Sequence, residues 1–349
     1  MSGPVRFACP LPLALQDRIV LGHGSGGKLS ARLLQEVFLP YFRSPILHQL
    51  DDQAVLEIQG ARLALTTDSF VVKPLFFRGG DIGSLAVHGT VNDLAMSGAV
   101  PLYLSAGFIL EEGLQMETLR RVAESMGRAA DAIPMEIVTG DTKVVEKGSG
   151  DGVFVNTTGI GLVPGGLRLS PSLVRPGDRV LLSGSLGDHG IAILAEREGI
   201  RFSTDLASDC APLHGLAAAM LAASRDIHAM RDPTRGGLSS ALNEIAARAA
   251  VGITIVESAI PVREEVRGAC EMLGLDPLYV ANEGKLVAFV PPDAAEAVLA
   301  AMRRHPLGRD AALIGDVTAT HAGMVLLRTP LGSTRIVDML PGDQLPRIC

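Results

Sequence analysis

A cysteine closes the chain, at the end of Leu345-Pro346-Arg347-Ile348-Cys349. A thiol on a final residue can reach a distant pocket, carry a covalent load and withdraw. Pro341 and Pro346 lack amide hydrogens and resist helix, so the tail is expected to be extended and mobile. The plainer alternative is a frayed end that happens to stop at cysteine. Aspartates recur after apolar stretches or in glycine-flanked turns: Asp51-Asp52, Thr66-Thr67-Asp68, Asn92-Asp93 and Gly140-Asp141. One alone would be a cap or turn residue. Four in one half can converge on a hard cation, and Mg²⁺ with a nucleoside triphosphate suits such a cluster. Asp232, ahead of Thr234 and a glycine pair, can add a carboxylate from the second half. Lys143 in DTKVV and Glu283 in YVANEG could form an acid/base pair tuned by burial, or a structural ion pair.

The glycine-rich run at 22–28 fits the opening of a P-loop, but Leu29 stands where that motif needs a hydroxyl for magnesium. What survives is a set of small residues, Gly26 and Gly27 among them, with Lys28 before a helix. Such a segment can close over phosphates with backbone amides and one mobile charge, or be a solvated turn. His88 is divided between packing and site duty. His189 reads as a turn residue or a substrate contact, Cys270 as core, and Cys210 as part of a helix start. Cys9 lies in a proline-rich leader.

These groups need elements to hold them. Leu29, Leu33 and Val37 share a helical face until Pro40. Strand-like runs follow at 55–58 and 63–67. Asp81 can cap a helix running to about Met96, with Gly98 past its end. A helix at 117–132 and a strand at 136–139 precede Gly140. The turn-rich stretch at 163–178 reads as a boundary. The second half again mixes strands (179–183, 253–256, 286–290) with helices. The class is therefore α/β or α+β with two lobes. The expected divisions are 1–43 for leader, glycine loop and helix, 44–165 for the first lobe, 166–330 for the second and 331–349 for the tail.

Bulk properties narrow the function. The chain has 349 residues, 47% hydrophobic and 20% charged, and a net charge of −7, which argues against a phosphate-backbone binder. Aromatics are 4% with no Trp, against base-stacking platforms. No segment reads as a signal peptide or membrane span. The four cysteines show no disulfide or zinc spacing, so the reducing cytosol is expected.

The ordered strings HGSGGK, TTDSFVVKPLFFRGGDIG, AVHGTVNDLAMSGA, VTGDTKVV, GDHGIAIL, RDPTRGG, LGLDPLYVANEGK and the terminal LPRIC resemble the HypE family of hydrogenase maturation proteins. They cover nearly the whole chain beyond the leader. Arg78 departs from the pattern, where proline is expected. The resemblance implies the two-lobed fold shared with aminoimidazole ribonucleotide synthetase, selenophosphate synthetase and thiamine-monophosphate kinase. The N-terminal lobe would dimerise through a shared barrel-like sheet, with ATP in the cleft between lobes. By motif it implies Asp52, Asp68, Asp93, Asp141 and Asp232 as Mg²⁺ ligands, with Asp51 an alternative to its neighbour. Gly26, Gly27, Lys28, Asp68, Asn92, Asp93, Asp141 and Thr142 would contact the nucleotide. Ser25 falls near the reactive Cys or Sec of selenophosphate synthetase, which disfavours that chemistry here.

The implied activity is ATP-dependent dehydration of an S-carboxamide on Cys349 to an S-cyanide, destined for iron in a [NiFe] hydrogenase. Lys143 and Glu283 would handle protons and hold the amide, with Asp81 and His88 in support. The implied partners are a second copy in a homodimer, the carbamoyltransferase HypF and a HypC–HypD iron scaffold, with no nucleic acid and no membrane. The alternatives are a small-molecule kinase or synthetase of the same superfamily, and a non-catalytic carrier switched by nucleotide.

Overall fold

The computed structural model describes residues 18–42, 44–200, 206–340, 342, 345 and 347–349. The leader with Cys9, and both Pro341 and Pro346, lie outside the described residues.

Two sheets form the frame. The first has strand order β1-β2-β7-β5-β6. Its strands are β1 (Ala54–Ile58), β2 (Ala61–Phe70), β5 (Val100–Glu111), β6 (Glu136–Val145) and β7 (Val153–Leu162), with a small hairpin of β3 (Phe76–Phe77) and β4 (Gly80–Asp81) beside it. The segment at 28–38 is helical as expected, α1 (Lys28–Leu33) running into a wider turn at Leu34–Phe38. Helices α2 (Ile82–Met96) and α3 (Met116–Asp131) cover one face of the sheet. Along β7 alternate residues are buried, so Val153, Val155 and Thr157 face the helices. Phe70, Leu85, Val91, Leu104 and Val155 belong to the core beneath. The opposite face keeps Tyr103, Ile109, Ile160 and Leu162 exposed.

The second sheet has order β14-β13-β10-β12-β8-β11-β9. Its strands are β8 (Arg179–Leu182), β9 (Ala229–Arg231), β10 (Gly252–Val256), β11 (Val287–Val290), β12 (Ala312–Thr318), β13 (Val325–Arg328) and β14 (Thr334–Val337). Helices α4 (Asp188–Glu198), α5 (His214–Ala223), α6 (Gly237–Ala249), α7 (Glu264–Leu273) and α8 (Pro292–Arg304) complete this half. Both faces are covered, which is why β8 from Val180 on and all of β11 are continuous apolar runs. Val180, Leu182, Val287 and Phe289 pack with α6, whereas Leu181, Ala288 and Val290 pack with α5 and α8.

Helix α2 joins the halves. Ile82, Leu85 and Val91 serve the first core, while Ala95 and Met96 belong to the core under α5. Two glycines permit the close approach of α2 to the first core. A Cβ at Gly83 would lie 2.5 Å from the Val122 carbonyl, and one at Gly89 would lie 2.9 Å from the Phe70 ring. The helix starts where expected, because the Asp81 carboxylate accepts from the amides of Gly83 (2.7 Å) and Ser84 (3.1 Å). Gly98 follows its end with φ +70°. No described helix is long and apolar enough to cross a membrane.

Candidate active site

The acidic residues meet where the halves face each other. Asp52 precedes β1, Asp68 lies within β2, Asp93 sits in the last turn of α2, and Asp232 follows β9. One carboxylate oxygen from each of Asp52, Asp93 and Asp232 lies within 4.8 Å of the others. The Thr66 hydroxyl donates to Asp93 at 2.6 Å, and Arg231 pairs with Asp52 (3.1 Å) and Glu244 (2.5 Å). Burial pushes the Asp52 carboxyl up to about 8; Arg231 opposes this and Asp232, Glu244 and Asp51 add to it. Asp232 is pushed to about 6, chiefly by burial, and Asp93 well above the usual range by burial and then by Asp232, Asp52 and Asp68. Hard oxygen donors held together at this electrostatic cost can hold a divalent cation of the Mg²⁺ type.

These groups line a cavity of about 300 Å³ together with Gly26, Asp68, Arg235, Glu283 and Cys349. Glu283 is 3% exposed and its Oε1 has no hydrogen-bond partner. Burial, and then Asp232, Asp68 and Asp209, hold its carboxyl well above the ordinary range. Arg235, just ahead of α6, is kept protonated by Cys349 and then by Asp68, Glu283 and Asp93. An adjoining cavity of about 620 Å³ is mainly apolar, with Leu34, Ile46, Leu47, Leu50 and Ala247 in its wall. Gly27 also lines it, as do Asp51 and Gln53, each of which has one buried oxygen without a partner.

The described end of the tail lies in the cleft. The Val71 amide donates to the Cys349 carbonyl oxygen at 3.0 Å and the Lys73 amide to that of Arg347 at 3.3 Å. Ile348 is buried in the first core.

Other expected site residues lie elsewhere. Asp141, Thr142 and Lys143 sit in β6, which runs unbroken through Gly140 rather than ending at 139. As the sheet's edge strand β6 is exposed, and Asp141 pairs at 2.5 Å with Lys143, whose side chain is 69% exposed. Within one chain Asp141 therefore stands apart from the acidic cluster, and Lys143 and Glu283 are not a burial-tuned pair. Lys28 is half-buried and paired with Asp338 at 2.5 Å, while its amide donates to the Leu340 carbonyl at 2.9 Å. Asn92 faces away from the cavity. Its amide group donates to the carbonyls of Ala211 and Glu283 (3.1 Å each), and its oxygen accepts from the Leu213 amide (2.8 Å). Asp81 is occupied as the α2 cap. His88 Nδ1 lies 3.4 Å from Cys210 Sγ, and burial lowers the imidazole pKa to about 4. Cys210 lies in the loop before α5 rather than in a helix start. Sequence reasoning gave no role to Arg231 or Arg235, although both stand in the quoted RDPTRGG string.

The fold is that of the AIR synthase related proteins. The N-terminal domain of that family matches residues 50–163 and its C-terminal domain residues 175–327. Within this class the chain belongs to the carbamoyl dehydratase HypE family of hydrogenase maturation proteins. It is 59% identical over 327 residues to carbamoyl dehydratase HypE of Azotobacter vinelandii, covering 94% of this chain and 96% of that protein. The crystal structure of HypE in complex with ATP superposes with a TM-score of 0.81 at 52% identity, covering 95% of this chain and all of that one. HypE in the HypE–HypF complex gives 0.84 at 48% identity, covering 88% and 99%. The fold alone extends to the thiamine monophosphate kinase group, for which an Aquifex aeolicus structure gives 0.63 at 20% identity, covering 88% and 99%.

Proposed function

We propose that this chain is an ATP-dependent dehydratase acting on a carbamoyl group carried by the sulfur of its own Cys349, converting S-carboxamide to S-cyanide for a [NiFe] hydrogenase iron centre. The observation that carries the reading is a single cavity shared by Cys349, the Asp52–Asp93–Asp232 cluster and Glu283. Membership of the HypE family and the ATP complex of a relative support it.

The triphosphate is assigned to the acidic cavity and the base to the apolar one beside it. Asp52, Asp93 and Asp232 would hold Mg²⁺, with Asp68 beside them; when bound, the cation offsets phosphate charge. Arg235, exposed at the rim, and the half-buried Arg231 are positive groups facing the same space. In the reaction the carbamoyl oxygen attacks the γ-phosphorus and ADP leaves. The carbon–oxygen bond then breaks with oxygen departing as phosphate, while both N–H protons are lost and the C≡N bond forms. Glu283 is placed to take a proton from nitrogen: it lines the same cavity and its Oε1 lacks a hydrogen-bond partner.

Lys143, Asp141 and Thr142 enter this scheme from a second copy. They lie on an exposed edge strand beside a sheet face that leaves Tyr103, Ile109 and Ile160 exposed, which fits a homodimer through that sheet. The known HypE–HypF complex supports a carbamoyltransferase of the HypF kind as the loading partner. A HypC–HypD scaffold is the proposed acceptor, in the cytosol.

Mass spectrometry of the C-terminal peptide tests the proposal. After carbamoylation, incubation with ATP and Mg²⁺ is expected to remove one water from that peptide with stoichiometric ADP release, and Cys349→Ala to abolish the product while retaining nucleotide binding. ATP turnover with an unchanged peptide would instead indicate a small-molecule kinase.

A further inference from the structure

The tail backbone is gripped from two sides. The Arg347 and Cys349 carbonyls turn toward the amides of Lys73 and Val71, in the first half of the chain. The Ile348 carbonyl points to the other side and meets His189 Nε2 at 2.8 Å. His189 lies in the first turn of α4, in the second half, and is fully buried with its ring edge-on to Phe77 at 5.7 Å. A carbonyl can only accept, so Nε2 must carry the hydrogen. Nδ1 is then the acceptor, and the Ser208 hydroxyl donates to it at 2.8 Å while accepting from the Cys210 amide at 3.0 Å. Both ring nitrogens are thus committed, and one of them to the tail. Beside this bond the Ile348 side chain, 5% exposed, fills a socket in the core that includes Phe70, Val72, Ile193 and Ala281. Without the tail a buried N–H would lose its acceptor.

We propose that His189 is the positioning residue for the tail-borne substrate: it reads the carbonyl of the penultimate residue and, with the Ile348 socket, sets how far the Cys349 sulfur reaches into the acidic cavity. This rests on Cys349 being the substrate-bearing residue. His189 touches backbone one residue away from the sulfur, so it acts through the register of the tail and not on the reacting atoms.

The test uses full-length protein with His189→Phe, His189→Gln and Ile348→Ala. Two readouts are taken: the alkylation rate of Cys349 by iodoacetamide, followed on the C-terminal peptide, and single-turnover dehydration of the carbamoylated tail. His189→Phe and Ile348→Ala are expected to raise alkylation and lower dehydration, each by about tenfold, with nucleotide affinity unchanged within about twofold. His189→Gln, whose amide can donate to the same carbonyl, is expected to recover most of both. The proposal is overturned if His189→Gln behaves like His189→Phe, or if Ile348→Ala and His189→Gln both match wild type while His189→Phe fails to fold. Absence of dehydration in wild type, with the alkylation pattern intact, would instead sink the reaction assigned to the tail and leave the latch standing.

Discussion

Asp52, Asp93 and Asp232 hold oxygens within 4.8 Å of one another in a poorly solvated cleft, so they cannot all ionise without a counter-charge. Their carboxyls are raised, Asp52 to about 8 and Asp232 to about 6, so the folded chain holds protons that the unfolded chain has released. Their contribution to stability is full below the ordinary carboxylate range and is lost as pH climbs through about 6 to 8. Without divalent cation, the melting temperature is expected to fall between about pH 6 and pH 8.5, and the stabilisation given by Mg²⁺ to grow over the same interval. Asp93→Asn should flatten both trends. Thermal denaturation with and without MgCl₂ measures this, and a Mg²⁺ effect independent of pH would remove the cluster as the binding site. Glu283→Gln separates chemistry from binding: single-turnover dehydration should drop at least about 100-fold with ATP affinity retained. Comparable loss of ATP binding would make Glu283 a nucleotide contact. The acids were legible in the sequence because they recur after apolar stretches or, for Asp232, ahead of a glycine pair that opens a helix. Arg235 was not, because nothing in Thr234-Arg235-Gly236 distinguishes a guanidinium turned into a cavity from one turned to solvent.

Helix α2 carries two kinds of polar residue that its sequence does not separate. Asn92 and Asp93 are adjacent, yet about 100° of helical rotation aims Asp93 at the cleft and Asn92 at the second half. Reading the pair as one nucleotide-binding unit missed that turn. Asn92→Ala strands the Ala211 carbonyl and the Leu213 amide and leaves the Glu283 carbonyl only its long bond from the Ala211 amide, so it should cost about 3 kcal/mol, measurable by urea denaturation. Asp81→Ala removes only the cap, at about 1 kcal/mol, and should leave the dehydration rate of the folded enzyme unchanged. A large rate loss in Asp81→Ala would return it to the catalytic candidates. The ends of α2 were readable because Asp81 and Gly98 are chemical signals with local causes. β6 misled for the opposite reason. Lys143 in its apolar DTKVV string was read as half of an acid/base pair tuned by burial, but burial depends on neighbours, and here the strand is an exposed edge.

At the scale of the whole molecule, the exposed apolar face and edge of the first sheet have to be reconciled with a reaction that needs water excluded. Lys143 and Asp141 are remote from Glu283 within one chain, yet a homodimer through this sheet would deliver them to the partner's cleft. Cross-complementation follows from that arrangement. Lys143→Ala and Glu283→Ala should each abolish dehydration alone. In a heterodimer of the two, one site combines the intact Glu283 of the first chain with the intact Lys143 of the second, and the other site lacks both. Random reassortment makes half the dimers mixed, each with one working site of two, so activity should return to about a quarter of wild type. Assay of the mixture after dissociation and reassociation measures it. No recovery, with heterodimers verified by mass spectrometry, would mean that both residues serve the same chain and that the tail or cleft must rearrange to bring them together.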